Sequence, residues 1–266
     1  MKREIAILGM IVCIVVGLLV GWFIPGLFTA PTPTPLIDQI KTRGYIIVGT
    51  SADYPPFENK TYPAGEIVGF DIDVSQMIAD ELGVTLEMID MDFDSLIGAC
   101  RAGTIDMIAA AMTYNADRAK QLAPSITYIF VRQVVIVKNS SSLTTITSLN
   151  DLVGKDVGCQ SGTVMQTELN AITGINVFAY ASVDILIQTL DAGGIDAAYV
   201  DGPIYDAWAD TIDLRIIYSS GETPLALWCK QGEQALLYEI NKVIFESYQD
   251  GSMYTLINKW FGNVTA

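Results

Sequence analysis

Residues 5–24 carry no charged side chain, and beyond them the chain changes from one long apolar run to short alternating ones. An uncharged stretch of that length can span a bilayer as a helix, and Lys2 and Arg3 ahead of it favour the cytoplasmic side. The run predicts an uncleaved membrane anchor over residues 1–28. The alternative is a signal peptide cleaved near Ala30, although such peptides usually have a shorter apolar core. "TAPTPTPL" follows, and its Thr/Pro alternation makes residues 29–35 a semi-rigid spacer. From Leu36 the periods become those of a globular domain. "YIIVGTSA" (residues 45–52) reads as a buried strand ending in small polar residues. "DVSQMIADELG" (73–83) has apolar residues at helical spacing, acids early and a terminal glycine. "VTLEMIDM" is a strand, "FDSLIGACRAG" a helix stopped at Gly103, and "IDMIAAAM" a buried strand. After Ser148 the same order resumes with "DVGCQ", "TVMQTELNAIT", "INVFAY", "VDILIQTLDAG" and "IDAAYV". Strands alternating with helices predict an α/β fold built on parallel sheet.

An internal echo refines this. Residues 96–110 (LIGACRAGTIDMIAA) and 186–200 (LIQTLDAGGIDAAYV) share Leu-Ile, Ala-Gly and Ile-Asp in register, ninety residues apart. Two ordinary helix–turn–strand units would produce it, and so would two similar lobes whose strands end towards one cleft. In open α/β sheets ligands bind beyond the carboxyl ends of strands. On that rule Thr50 and Ser51, the stretch from Thr113 to Arg118, the stretch from Ser161 to Val164, and Asp201 converge on one crevice.

The chain has 266 residues, a formal net charge of −15 and no histidine. Without histidine there is no Ser-His-Asp or Cys-His catalysis and no HExxH zinc site. The acidity, with a pI near 4.2, argues against a nucleic-acid partner, which requires a basic face. Beyond Cys13, the cysteines Cys100, Cys159 and Cys229 lack CxxC spacing and read as buried small hydrophobes. "DIDVSQ" (71–76) and "DMDFDS" (90–95) begin like calcium loops but lack the later Gly and Glu, so no metal is implied. No cofactor motif is present.

Among the strand-end residues the charges are complementary. Arg118 offers a planar fork that can hold a carboxylate. The N–H groups around Thr163 and Val164 open a helix and suit an anion. Asp201 can accept an ammonium. Taken alone, Arg118 could be a surface arginine and Asp201 a turn residue before Gly202 and Pro203.

"VGTSADYPPFE", "GFDIDV", "AGTIDMIAAAMTYNADRAKQL", "VGCQSGTV" and "IDAAYVDG", in that order, resemble the family 3 extracellular solute-binding proteins, the polar amino-acid receptors of ABC importers. The resemblance runs from about Leu36 to the C-terminus. It implies a two-lobed type II periplasmic-binding (Venus flytrap) fold, with residues 36–132 and 232–266 as lobe 1, residues 133–231 as lobe 2, and a hinge near Arg132 and Cys229. It further implies that Arg118, with Thr113 and Thr163, grips a ligand α-carboxylate. Asp201 and the Ala111 backbone would grip the α-ammonium, while Tyr54 and Phe93 sandwich the side chain. Two departures bear on specificity: Ser51 stands where many members carry an acid, and Asn115 where threonine is usual. With Ser51, Gln160 and Glu58 near the side chain and no extra cation, an acidic amino acid is disfavoured. The implied protein is a monomer tethered outside the cytoplasmic membrane that delivers a free amino acid to an ABC transporter permease. The alternatives are a cyclohexadienyl or arogenate dehydratase-like enzyme on the same fold, and a ligand sensor for a separate membrane partner.

Overall fold

The computed structural model describes residues 34–262, so the expected anchor and most of the Thr/Pro spacer lie outside the described residues. Among the described residues no helix is long and apolar enough to cross a membrane.

After α1 (Leu36–Arg43) come β1 (Tyr45–Thr50), the short strands β2 (Asp53–Tyr54), β3 (Glu58–Lys60) and β4 (Ile67–Val68), and α2 (Phe70–Leu82). Helix α2 begins three residues before the predicted start at Asp73, because Phe70 belongs to its buried stripe with Val74, Ile78 and Leu82. Gly83 ends it at φ 70°, and the Val84 N–H returns to the Ala79 carbonyl. Next are β5 (Thr85–Asp90), α3 (Leu96–Ala102), β6 (Met107–Ile108), α4 (Ala116–Ala119) and β7 (Leu122–Pro124). The predicted strand "IDMIAAAM" pairs only at Met107 and Ile108; the alanines beyond leave the ladder and enter the site described below.

Strand β8 (Ile129–Lys138) leads to β9 (Asp156–Gln160), α5 (Val164–Asn170), β10 (Asn176–Tyr180), α6 (Val183–Asp191), β11 (Ala197–Asp201), α7 (Gly202–Trp208) and β12 (Leu214–Leu225). The chain returns through β13 (Trp228–Lys230) to α8 (Gln234–Asp250) and α9 (Ser252–Phe261), which pack on α2. Buried Leu236, Ile240, Val243 and Ile244 form the inner face of α8.

Two five-stranded sheets organise the lobes, in the orders β5-β1-β6-β13-β7 and β10-β9-β11-β8-β12. In each, the first three strands are parallel, as the alternation predicted. The other two correct the all-parallel expectation: β13 runs antiparallel to β6 and β7, and β8 antiparallel to β11 and β12. The reason lies in the connections. Parallel neighbours need a helical crossover, whereas β8 and β13 enter their sheets directly from the other lobe.

The internal echo is physical. A Cβ on Gly158 would lie 2.6 Å from Ile195 Cδ1, and one on Gly49 3.0 Å from Leu96 Cδ2. In each lobe the leucine of the helix and the isoleucine after its turn rest on a glycine of β1 or β9, the middle one of the three parallel strands.

β8 first pairs with β11 of the second sheet at Gln133, next to the expected boundary at 132/133, whereas the return passage comes before the expected 231/232, since Trp228–Lys230 already lie in the first sheet. β8 pairs with β12 from Ile129↔Leu225 through Arg132↔Glu222, a two-stranded ribbon leading into the second sheet. Cys229, expected at the hinge, is buried in β13 of the first sheet. Cys100, Cys159 and Cys229 are all free and buried.

Candidate functional site

Where strands of both sheets end, side chains from the two lobes meet around a small, largely closed cavity. From the first lobe it receives Tyr54, Phe93, Ala110, Ala111, Thr113 and Arg118; from the second, Gln160, Thr163, Val164, Met165 and Asp201.

Arg118 sits in the single turn of α4, whose N-cap Asn115 accepts the Arg118 N–H through its side chain at 2.8 Å. The asparagine thus does capping work, a role that asparagine and threonine share. Arg118 is only 5% exposed. Its Nη1 donates to the Thr113 carbonyl at 2.7 Å and its Nη2 to the Gly162 carbonyl of the other lobe at 3.0 Å. It lies 5.5 Å from the Phe93 ring centre, a cation–π distance. Burial lowers its pKa to about 10, and nearby Asp201 opposes that shift, so the charge persists at neutral pH. No carboxylate pairs with it among the described residues. A buried guanidinium held only by carbonyls retains donors for a stronger, anionic acceptor.

Asp201 ends β11 and is 2% exposed. Its Oδ2 accepts the Tyr54 hydroxyl at 2.9 Å, and that hydroxyl oxygen accepts the Asp201 N–H at 3.3 Å. Its Oδ1 is buried without a partner. Burial pushes its pKa up to about 7, against the lowering effects of Tyr54 and Arg118. A buried carboxylate oxygen without a donor is costly and invites a cation.

Thr163 caps α5: its hydroxyl donates to the Gln160 carbonyl at 2.7 Å and accepts the Gln166 N–H at 3.3 Å. Ala111 has φ 44°, in the left-handed region, and its N–H donates to Asp71 Oδ2 at 2.8 Å.

Two expected residues lie elsewhere. Ser51 is buried outside the cavity lining, where its hydroxyl meets Gln160 Nε2 at 3.5 Å; it lines a neighbouring pocket with Asp53 and Asp90. Glu58 pairs with Tyr54 across β2 and β3, but the longer Tyr54 reaches the cavity while the Glu58 carboxyl stays in the core with neither oxygen bonded. Burial first, then Asp71, pushes its pKa well above the carboxylate range. It is a buried acid biased towards its neutral form, not a cavity residue. Sequence reasoning missed Ala110 and Met165. The first stands in the alanine run before Thr113, and the second directly follows the predicted helix start, so proximity to named residues was the available signal.

Residues 46–263 match the sequence profile of the bacterial extracellular solute-binding proteins, family 3. The chain belongs to that family. It is 30% identical over 223 residues to the arginine-binding extracellular protein ArtP of Bacillus subtilis (strain 168), covering 81% of this chain and 86% of ArtP. A crystal structure of a mutant ArgBP from T. maritima superposes with a TM-score of 0.82 at 37% identity, covering 85% of this chain and 99% of that one. The ancestral amino acid-binding protein AncCDT-1, described as a precursor of cyclohexadienyl dehydratase, superposes with a TM-score of 0.78 at 29% identity, covering 86% and 100%. These are structures of the type II periplasmic-binding fold, and this family 3 chain shares it.

Proposed function

We propose that this family 3 protein is an extracytoplasmic receptor that binds one free polar L-amino acid, neutral or basic, between its lobes and delivers it to an ABC transporter permease. One observation carries the reading. A buried guanidinium with spare donors and a buried carboxylate with an unpartnered oxygen face one cavity from different lobes. A zwitterion presents both complements: its carboxylate meets the Arg118 fork, and its ammonium meets Asp201 Oδ1. Thr113, Thr163 and Val164 flank the carboxylate, Tyr54 and Phe93 cover the side chain, and Gln160 contacts its polar end. Because the grips belong to different lobes, ligand favours the closed arrangement, the only one that makes both contacts. In the same reading, residues 5–24 tether a monomeric domain to the outer face of the cytoplasmic membrane.

The test is calorimetric titration of residues 36–266, denatured and refolded to strip bound solute, with each of the twenty amino acids. Saturable binding of a neutral polar or basic one is expected, and silence from all twenty overturns the proposal. The likeness to AncCDT-1, together with the elevated pKa of Asp201 beside the cavity, favours a dehydratase as the second reading. Mass spectrometry after incubation with prephenate or arogenate separates the two: unchanged compound supports the receptor, and product supports the enzyme.

A further inference from the structure

Ala111 is the only non-glycine among the described residues with positive φ, and it borders the cavity. That conformation is sparsely populated for a residue with a Cβ, so something must hold it. The holding group is Asp71, in the first turn of α2, fully buried and outside the cavity lining. Its Oδ2 accepts the Ala111 N–H at 2.8 Å, and its two oxygens accept the Tyr128 hydroxyl at 2.7 and 2.9 Å. Tyr128 is also fully buried, stacked on Phe70 with ring centres 5.8 Å apart. Its N–H donates to the Leu225 carbonyl at 3.1 Å, and its own carbonyl accepts the Tyr248 hydroxyl at 2.6 Å. Tyr128 directly precedes β8, and Leu225 ends β12, so this contact marks the base of the ribbon between lobes.

From this geometry we infer that Asp71 is a positioning residue: its carboxylate fixes the left-handed backbone of Ala111 at the cavity and ties it, through Tyr128, to the base of the interlobe ribbon. With its N–H committed to Asp71, Ala111 is anchored on its N-terminal side, and its carbonyl, in the next peptide unit, accepts no hydrogen bond from any described residue. The inference rests on the proposed receptor function, in which that carbonyl completes the ammonium subsite beside Asp201. Burial disfavours the charge of Asp71, and the hydrogen bonds from Ala111 and Tyr128 offset part of that cost. An uncharged side chain would hold Ala111 less firmly.

The test uses the full chain, with L-arginine as probe and amide hydrogen exchange as a ligand-free measurement. Asp71→Ala should weaken L-arginine binding at least tenfold and speed Ala111 amide exchange at least tenfold, with Asp71→Asn intermediate in both. Glycine adopts the left-handed region without a Cβ penalty. Asp71→Ala combined with Ala111→Gly should therefore recover part of the lost affinity, which a merely space-filling Asp71 would not allow. Wild-type affinity in Asp71→Ala, or a double variant that binds more weakly than Asp71→Ala alone, overturns the inference. If Asp71→Ala fails to fold, unaltered exchange and affinity in Asp71→Asn overturn it instead. Should the wild type not bind L-arginine, the amino acid found by the twenty-way titration replaces it as probe, and only silence from all twenty counts against the function proposed above. Asp71 is then judged by the exchange of Ala111, and equal protection in wild type and variant overturns its role.

Discussion

Arg118 and Asp201 face one cavity with opposite charges, and neither is satisfied by a charged neighbour at ion-pair distance. Removing one partner of a buried pair leaves the other uncompensated, at a cost of about 3–5 kcal/mol. Against micromolar binding, worth about 8 kcal/mol, Arg118→Ala should push the dissociation constant to the order of millimolar or weaker. Calorimetry should show only partial rescue by Arg118→Lys, since an ammonium keeps charge without the bidentate fork. Under the proposed receptor function, Asp201 should make binding depend on pH. Its pKa in the folded protein is about 7, so the ionised form that attracts an ammonium is lost as pH falls through neutrality. Affinity should decline from pH 8 to 5.5, and binding at pH 6 should release a proton, measured by calorimetry in buffers of different ionisation enthalpy. A constant affinity across that range would remove Asp201 from the ammonium site. Stability without ligand runs the other way. Asp71 and Asp201 both have folded pKa values near 7, raised from 3.8 mainly by burial, so the native state holds extra protons between those values. Their contribution is greatest below pH 4 and is lost as pH rises through 7. Thermal unfolding at pH 5 and 8 should show a smaller pH effect in Asp201→Asn than in wild type. Asp201 and Thr163 were legible in the sequence because one ends a recognisable strand and the other opens a helix, and Arg118 because its fixed charge closely follows a buried apolar run. Ser51 and Glu58 were misread because a position in a strand-end motif does not say which side chain reaches the cavity.

The element scale tests the close approach of backbones. Gly69, at φ 152°, precedes α2, and a Cβ there would sit 2.5 Å from the Phe57 carbonyl carbon and 2.8 Å from Glu58 Cα. Backbone cannot give way as a side chain can. At Gly158 the obstruction is the flexible ends of Leu186 and Ile195, so Gly158→Ala should cost about 1–3 kcal/mol as an overpacked site. Gly69→Ala should cost more and should also weaken ligand binding, because it shifts the helix that carries Asp71. Urea unfolding of both variants checks the order, and a smaller loss for Gly69→Ala would contradict it. The three parallel strands of each lobe were readable because each strand and helix ends in its own punctuation. Strand β12 was not: Ser219, Ser220, Gly221 and Pro224 read as turn residues, and only pairing with β8, through two register shifts, makes one element of them.

At the scale of the whole molecule, polar contacts cross between the lobes around the cavity. Besides Tyr54 with Asp201 and Arg118 with Gly162, the Ser161 hydroxyl donates to Asp94 at 3.0 Å and the Val183 N–H to Asp53 at 2.8 Å. The lobes are joined through a ribbon of β8 and β12, and under the proposed receptor function that ribbon is the hinge about which ligand closes them. Small-angle scattering of residues 36–266 should give a more compact profile with a saturating amino acid than without. An unchanged profile would count against hinge closure.

The sequence by itself determined the alternation of strands and helices, the repeated unit in both halves, and the residues gathered at the strand ends. Those features depend on local period, on glycine stops and on the tendency of α/β sheets to bind ligands beyond their carboxyl ends. Tertiary structure decided which groups meet. Tyr54 bonds Asp201 across 147 residues, and Asp71 holds Ala111 across 40. It also decided that Glu58 is buried in the core away from the cavity and that β8 and β13 run antiparallel to their neighbours. Burial and partner distance set these outcomes, and both arise only when segments remote in sequence pack together, which no local pattern of apolar and polar residues encodes.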